Sequence, residues 1–173
     1  AKTKQILPDQ SDLFMKLGRG GFTTRGIAIL YYIDYGRWPR DTFAIASHEG
    51  WHQYTQMTFR QQLPIWLEEG IATYMEGYRI RDGKPTFHPH NNHERKRTLL
   101  ENSKDQLLVY YAQVWGLVHF LNEGEGGRYR GGFHDLLQDA ANGRFIRRVR
   151  ELSSNPKWRS KRFVTARIGV EAL

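Results

Sequence analysis

Hydrophobic and polar positions along this chain change period several times, and each change marks an element. Ala1 to Gly18 shows no sustained pattern and reads as a loosely held lead-in, with a short helical piece near Ser11 to Leu17. Gly18-Arg19-Gly20-Gly21 breaks the chain. From Gly26 to Tyr35 apolar residues are nearly continuous (Ile27, Ile29, Leu30, Tyr31, Tyr32, Ile33), and Gly36 closes the run. That predicts a strand buried on both faces for much of its length. Trp38-Pro39-Arg40-Asp41 is a turn with Asp41 as N-cap. A helix follows over Thr42 to Thr58. Pro64 suits the first turn of a second helix reaching about Tyr78, with Leu67, Ile71, Tyr74, Met75 and Tyr78 at three- and four-residue steps. Arg81 to Pro85 is a turn.

The second half reads as helical. Ser103-Lys104-Asp105-Gln106 has the form of a capping box. It opens a helix to about Asn122 with an apolar stripe of Leu107, Leu108, Tyr111, Val114, Trp115, Val118 and Leu121. Gly124 to Gly132 is a glycine-rich loop without the preceding strand or the G-K-[ST] of a phosphate loop. Phe133 to Ala141 is a short helix stopped by Asn142-Gly143. Phe145 to Leu152 is basic and amphipathic. The expected fold class is α+β, mainly α, with a small sheet ahead of the Thr42–Thr58 helix. Residues 1–173 form one domain, of which 144–173 is a basic C-terminal segment.

Composition narrows the chemistry. With no cysteine among 173 residues, neither a disulfide frame nor a Cys-ligated metal is possible. The longest apolar run, Ile27 to Ile33, is too short to span a bilayer, so no transmembrane segment is expected. Ala1-Lys2-Thr3-Lys4 is polar and does not read as a signal peptide, although a chain that starts without Met also fits the mature part of a longer precursor. Net charge is +8, and from Arg144 to Arg167 nine Lys or Arg stand against one acid, Glu151. A solvated basic face is the favoured reading of that surplus, ahead of a binding patch.

The most informative stretch is His48-Glu49-Gly50-Trp51-His52. Residues four apart share one helix face, so His48 and His52 can offer two imidazoles to one metal ion. Glu49, turned by about 100°, can act on a water without ligating the metal. Zinc lowers the pKa of such a water, and Glu49 is placed to take its proton. An open catalytic site needs a third protein ligand. The helix after Pro64, joined by the short Phe59–Leu63 connection and so expected to pack antiparallel, offers Glu68 and Glu69. Periodicity does not choose between them, and Glu68 lies nearer the apolar positions Ile71 and Met75. Gly70 lets one backbone approach another closely.

H-E-x-x-H-Q (His48, Glu49, His52, Gln53) followed by P-x-W-L-x-E-G-x-A-x-Y (Pro64, Trp66, Leu67, Glu69, Gly70, Ala72, Tyr74) resembles the gluzincin zinc metallopeptidases. It is most similar to the bacterial peptidase MA-like families, and the likeness extends more loosely from about Gly21 to Gly143. The His52–Glu69 interval is shorter than in the aminopeptidase branch. The resemblance implies a zincin-like fold, one Zn²⁺ per chain, and peptide or protein substrates laid along the strand before the metal helix by strand addition. It also implies an extracytoplasmic or cell-envelope setting. It makes Glu69 the third ligand beside His48 and His52, at the point where Gly70 would let two helices approach most closely. It makes Glu49 the general base and assigns an oxyanion donor to a Tyr or His on a later helix. Tyr111, inward by periodicity and in the family's Y-A-Q position, is the candidate, with His119 in reserve.

Two other readings compete. The chain could be a catalytically silent scaffold of the same fold, against which the intact Glu49 argues. It could bind nucleic acid or another anionic polymer through residues 144–173. Few aromatics interleave with those basic residues, and no helix-turn-helix or RNP pattern is present, so nucleic acid is not the expected partner. His88-Pro89-His90-Asn91-Asn92-His93 reads as a polar loop bordering the cleft, since Pro89 breaks helical spacing and no acid lies among the histidines.

Overall fold

The computed structural model describes residues 20–30, 32, 42–89, 92–101 and 105–154. The expected helical piece at Ser11–Leu17, the Asp41 cap, Ser103, and the segment after Ser154 lie outside them.

Strand β1 (Gly21–Thr24) pairs antiparallel with β2 (Ile27–Leu30), Thr24 opposite Ile27. Only Arg25 and Gly26 connect them. Both have positive φ, 50° and 72°, as the mirror-image turn that matches hairpin twist requires. The expectation of a strand buried on both faces fails among the described residues. Ile27 and Leu30 are exposed, and Tyr32 is 83% exposed. Among the described residues the two-stranded ribbon is covered by the Thr42–Thr58 helix on one side.

Helix α1 spans Thr42–Thr58, as the sequence predicts. It grips the hairpin turn from both sides: Gln53 Nε2 donates to Gly26 O (2.8 Å), and Gly26 N donates to Gln56 Oε1 (2.9 Å). Helix α2 spans Ile65–Met75, with Pro64 just ahead of it. It stops short of Tyr78, which instead begins strand β3 (Tyr78–Arg81). β3 pairs antiparallel with β4 (Lys84–Phe87) across Asp82-Gly83, again both at positive φ. The turn at 81–85 was legible, whereas Tyr78 falls in step with the apolar positions of α2 and imitates a continued helix.

Helix α3 (His93–Leu100) follows, with the Asn92 side chain accepting from Arg95 N. Helix α4 (Gln106–Gly127) is capped by Asp105, whose Oδ1 accepts from Leu107 N and Leu108 N. Its backbone leaves helical geometry at Gly124–Gly126. Helix α5 (Arg130–Ala141) therefore starts inside the expected glycine-rich loop and ends at Asn142-Gly143. Helix α6 is Phe145–Ser154.

Helix α2 lies at the centre. Its Leu67, Ile71 and Tyr74, with Leu63, pack against Trp115 and Val118 of α4 and Phe133, Ala140 and Phe145 of α5 and α6. A Cβ on Gly70 would lie 2.8 Å from Val118 Cγ2 and 2.9 Å from Val114 O. The missing side chain thus serves the close approach of α2 to α4. Burial of apolar area at about 25 cal/mol per Å² makes this seam the main source of stability. Among the described residues the fold is mainly helical with two small antiparallel sheets, and no helix is long and apolar enough to cross a membrane.

Candidate metal centre

One turn of α1 sets the rings of His48 and His52 edge to face, centroids 4.9 Å apart. Their Nε2 atoms converge on one oxygen of α2: Glu69 Oε2 lies 3.5 Å from His48 Nε2 and 3.7 Å from His52 Nε2. The three ligand atoms all fall within 4.8 Å of one another. Ligand bonds of about 2.0–2.2 Å around a tetrahedral zinc put donor atoms roughly 3.3–3.5 Å apart, close to what is found. Glu69 Oε2 is buried and has no hydrogen-bond partner. A buried carboxylate oxygen in that state calls for a cation. Two imidazoles and a carboxylate are a donor set that suits zinc.

The other ring nitrogens are equally well provided for. His48 Nδ1 donates to Glu76 Oε1 (2.9 Å) and His52 Nδ1 to Glu68 Oε1 (3.0 Å). A carboxylate only accepts, so each Nδ1 carries its proton and each Nε2 is left to face the third ligand. Thr55 Oγ1 also donates to Glu68 Oε1, at 2.6 Å. The order of these pairs, His52 and Thr55 with Glu68 but His48 with Glu76, runs in opposite directions along the two helices, as the short connection predicts. Between the two candidates, Glu69 faces both Nε2 atoms and Glu68 stands behind His52.

Electrostatics follow the same contacts. Burial lowers the His52 pKa, but its hydrogen bond to Glu68, its close contact with Glu69 and the charges of both outweigh this and raise it to about 10. Burial raises the Glu69 carboxyl, and the close contacts and charges of His48 and His52 overcome it and bring it down to about 2.

Glu49 is buried. Its Oε2 accepts from Thr23 Oγ1 at 2.8 Å, and its backbone oxygen accepts from the same hydroxyl at 3.0 Å. The first hairpin therefore orients the residue expected to act as base. Tyr111 lies beside the site, its ring 6.3 Å from that of His48 and 5.2 Å below the Arg95 guanidinium. Its neighbour Tyr110 has a raised pKa, through burial first and the Glu69 charge second. His119 stacks against Trp115 and Tyr74 and does not join the converging group. Of the His88–His93 stretch, His88 bonds to Gly77 through its backbone and His93 starts α3, while His90 lies outside the described residues. A shallow cavity of about 310 Å³ lined by Ser47, Gly50, Trp51, Tyr54, Met75 and Phe87 follows a different stripe of α1 from the histidines.

Thr23, Glu76 and Arg95 were not singled out by sequence, whereas helical spacing puts Thr55 on the face of the two histidines and Asn92 falls in the polar histidine-rich stretch. Of those three, Glu76 alone carried a signal: it follows Glu69 by nearly two helical turns and so shares its face. Comparison with protein-family models, with curated proteins and with solved structures finds no match.

Proposed function

We propose that this protein is a zinc-dependent metallopeptidase of gluzincin type with a zincin-like catalytic domain. The observation that carries the reading is the convergence of two Nε2 atoms on a buried, otherwise unpartnered carboxylate oxygen, each imidazole being backed by its own carboxylate. His48, His52 and Glu69 would hold one Zn²⁺. Zinc, when bound, supplies a Lewis acid for the scissile carbonyl and acidifies water. Glu49, held by Thr23, takes the proton of the attacking water and hands it to the leaving amine. Tyr111 on α4, whose ring lies 6.3 Å from that of His48, is the expected donor to the oxyanion. Substrate would lie extended along the β1–β2 hairpin, from which Thr23 reaches Glu49.

The test pairs metal analysis of the purified chain with cleavage of a peptide library. About one zinc per chain, with cleavage that Glu49→Gln removes, is the expected result. Zinc without any cleavage would favour a silent scaffold of the same architecture. Absence of zinc binding would end the reading.

A further inference from the structure

The side chain of Arg95 is completely buried. Its Nη2 lies 3.2 Å from both oxygens of Glu76. Asn92 Nδ2 donates to Glu76 Oε2 at 3.1 Å and to Thr73 O at 3.1 Å, fastening the same carboxylate to the end of α2. With Oε2 taken by Asn92 and both oxygens steadied by Arg95, Oε1 is turned to His48 Nδ1. The same guanidinium lies over the Tyr111 ring, and that ring meets the edge of His48. Two lines of contact therefore run from Arg95 to one imidazole.

Burying a guanidinium is costly, and an apolar group of similar volume commonly serves stability as well or better. Arg95 leaves part of its donor capacity unused: Nε and Nη1 are buried without hydrogen-bond partners, Nη1 facing Glu94 Oε1 only at 3.9 Å. Its effect is local and directional. His52 has nothing comparable, since Glu68 is held by the Thr55 hydroxyl and keeps part of its side chain exposed.

We propose that Arg95 is a positioning residue of the metal centre: through Glu76 it fixes the tautomer and ring orientation of His48, which makes α3 and the Asn92 end of the histidine-rich stretch part of the metal-binding machinery. This rests on the metal-centre reading above. The hydrogen bond it secures holds the Nδ1 proton in place and leaves Nε2 aimed at Glu69 Oε2, the direction a shared cation needs.

The experiment uses the full chain, freed of metal, as wild type, Arg95→Lys, Arg95→Met and the uncharged pair Arg95→Met/Glu76→Gln. Each is titrated with zinc, loaded with cobalt(II) for its visible d–d bands, and melted without metal. Lys keeps the charge but offers one nitrogen in place of a fork. Arg95→Lys should fold with a melting temperature near wild type, lose roughly 10–100-fold in zinc affinity and shift the cobalt bands. Arg95→Met/Glu76→Gln should regain the stability lost in Arg95→Met without regaining zinc affinity. Any folded variant with wild-type zinc affinity and cobalt bands overturns the proposal. So does failure of all three to fold, which would leave Arg95 a purely structural residue. Wild-type protein that binds neither zinc nor cobalt removes the metal-centre reading itself, a result separate from any comparison between variants.

Discussion

Glu68 and Glu69 are neighbours with similar exposure, yet their oxygens meet different ends of the imidazoles. Glu69→Gln replaces an anionic oxygen ligand by a neutral amide and should weaken zinc binding strongly. Glu68→Gln removes only a partner of His52 Nδ1, for which roughly 10–100-fold is typical. Competitive zinc titration of the two single mutants measures both, and a larger loss for Glu68→Gln would reverse the assignment. Glu49→Gln should keep zinc and fold while cleavage falls by about 10³-fold or more, in the range general-base loss produces. Loss of zinc in Glu49→Gln equal to that in His48→Ala would make Glu49 a ligand. His48, Glu49 and His52 were legible because helix geometry alone puts them on one turn. Glu69 was legible only through the resemblance, since helical phase favoured Glu68. The reason given for it also needs correcting. Gly70 is small because Val114 and Val118 crowd it, and the ligand leaves α2 towards α1. Arg95 and Asn92 were not legible, because their effect depends on α3 folding back onto the end of α2.

Helix α1, the body of α5 and the turns at Asp82-Gly83 and Asn142-Gly143 follow from local pattern, while the first hairpin is tied down by tertiary contacts. β1 is four residues long and reads as unremarkable sequence until Gln53 and Gln56 fix its turn and Thr23 reaches Glu49. Thr23→Val preserves shape but removes the donor. It should leave zinc content unchanged and lower kcat about tenfold, the order expected for loss of a hydrogen bond to a charged group, with KM little altered. Unchanged kcat would mean that the hairpin supports the fold without orienting Glu49. The α2–α4 seam makes a different demand. Gly70→Ala forces a methyl against Val114 O and Val118 and should cost about 1–3 kcal/mol. Thermal melts of the metal-free protein check this, and an unchanged melting temperature would show that α4 can withdraw at no cost.

At the scale of the whole molecule, charge and the proposed metal should be linked through folding. The basic surplus after Arg144 starts on a packed helix: Phe145 is buried, Ile146 and Val149 meet the core, and Arg147, Arg148 and Arg150 face outward. That is how a solvated basic face is built, and α6 has no need of an anionic partner to fold. The pH dependence of stability should instead come from the centre. His52 has its pKa raised from 6.5 to about 10 on folding, so its contribution is complete below pH 6.5 and is lost as pH rises through about 10. Glu69 has its pKa lowered from 4.5 to about 2, so its contribution is complete above pH 4.5 and is lost as pH falls through about 2. The two shifts share the His52–Glu69 contact and are not summed. From this pair, the metal-free chain should be most stable between about pH 4.5 and 6.5, falling above that by at most about 1.4 kcal/mol per pH unit for one proton. Zinc must displace the His52 proton to bind, so its affinity should rise with pH over the range in which the metal-free fold weakens. Melting curves with excess zinc and with chelator, from pH 4 to 9, should therefore diverge above pH 6.5. His52→Gln should flatten the metal-free profile there and abolish the divergence. If the zinc-induced rise in melting temperature were no greater at pH 9 than at pH 6, the proton and the metal would not be competing for the same nitrogen, and the centre would have to be assembled differently.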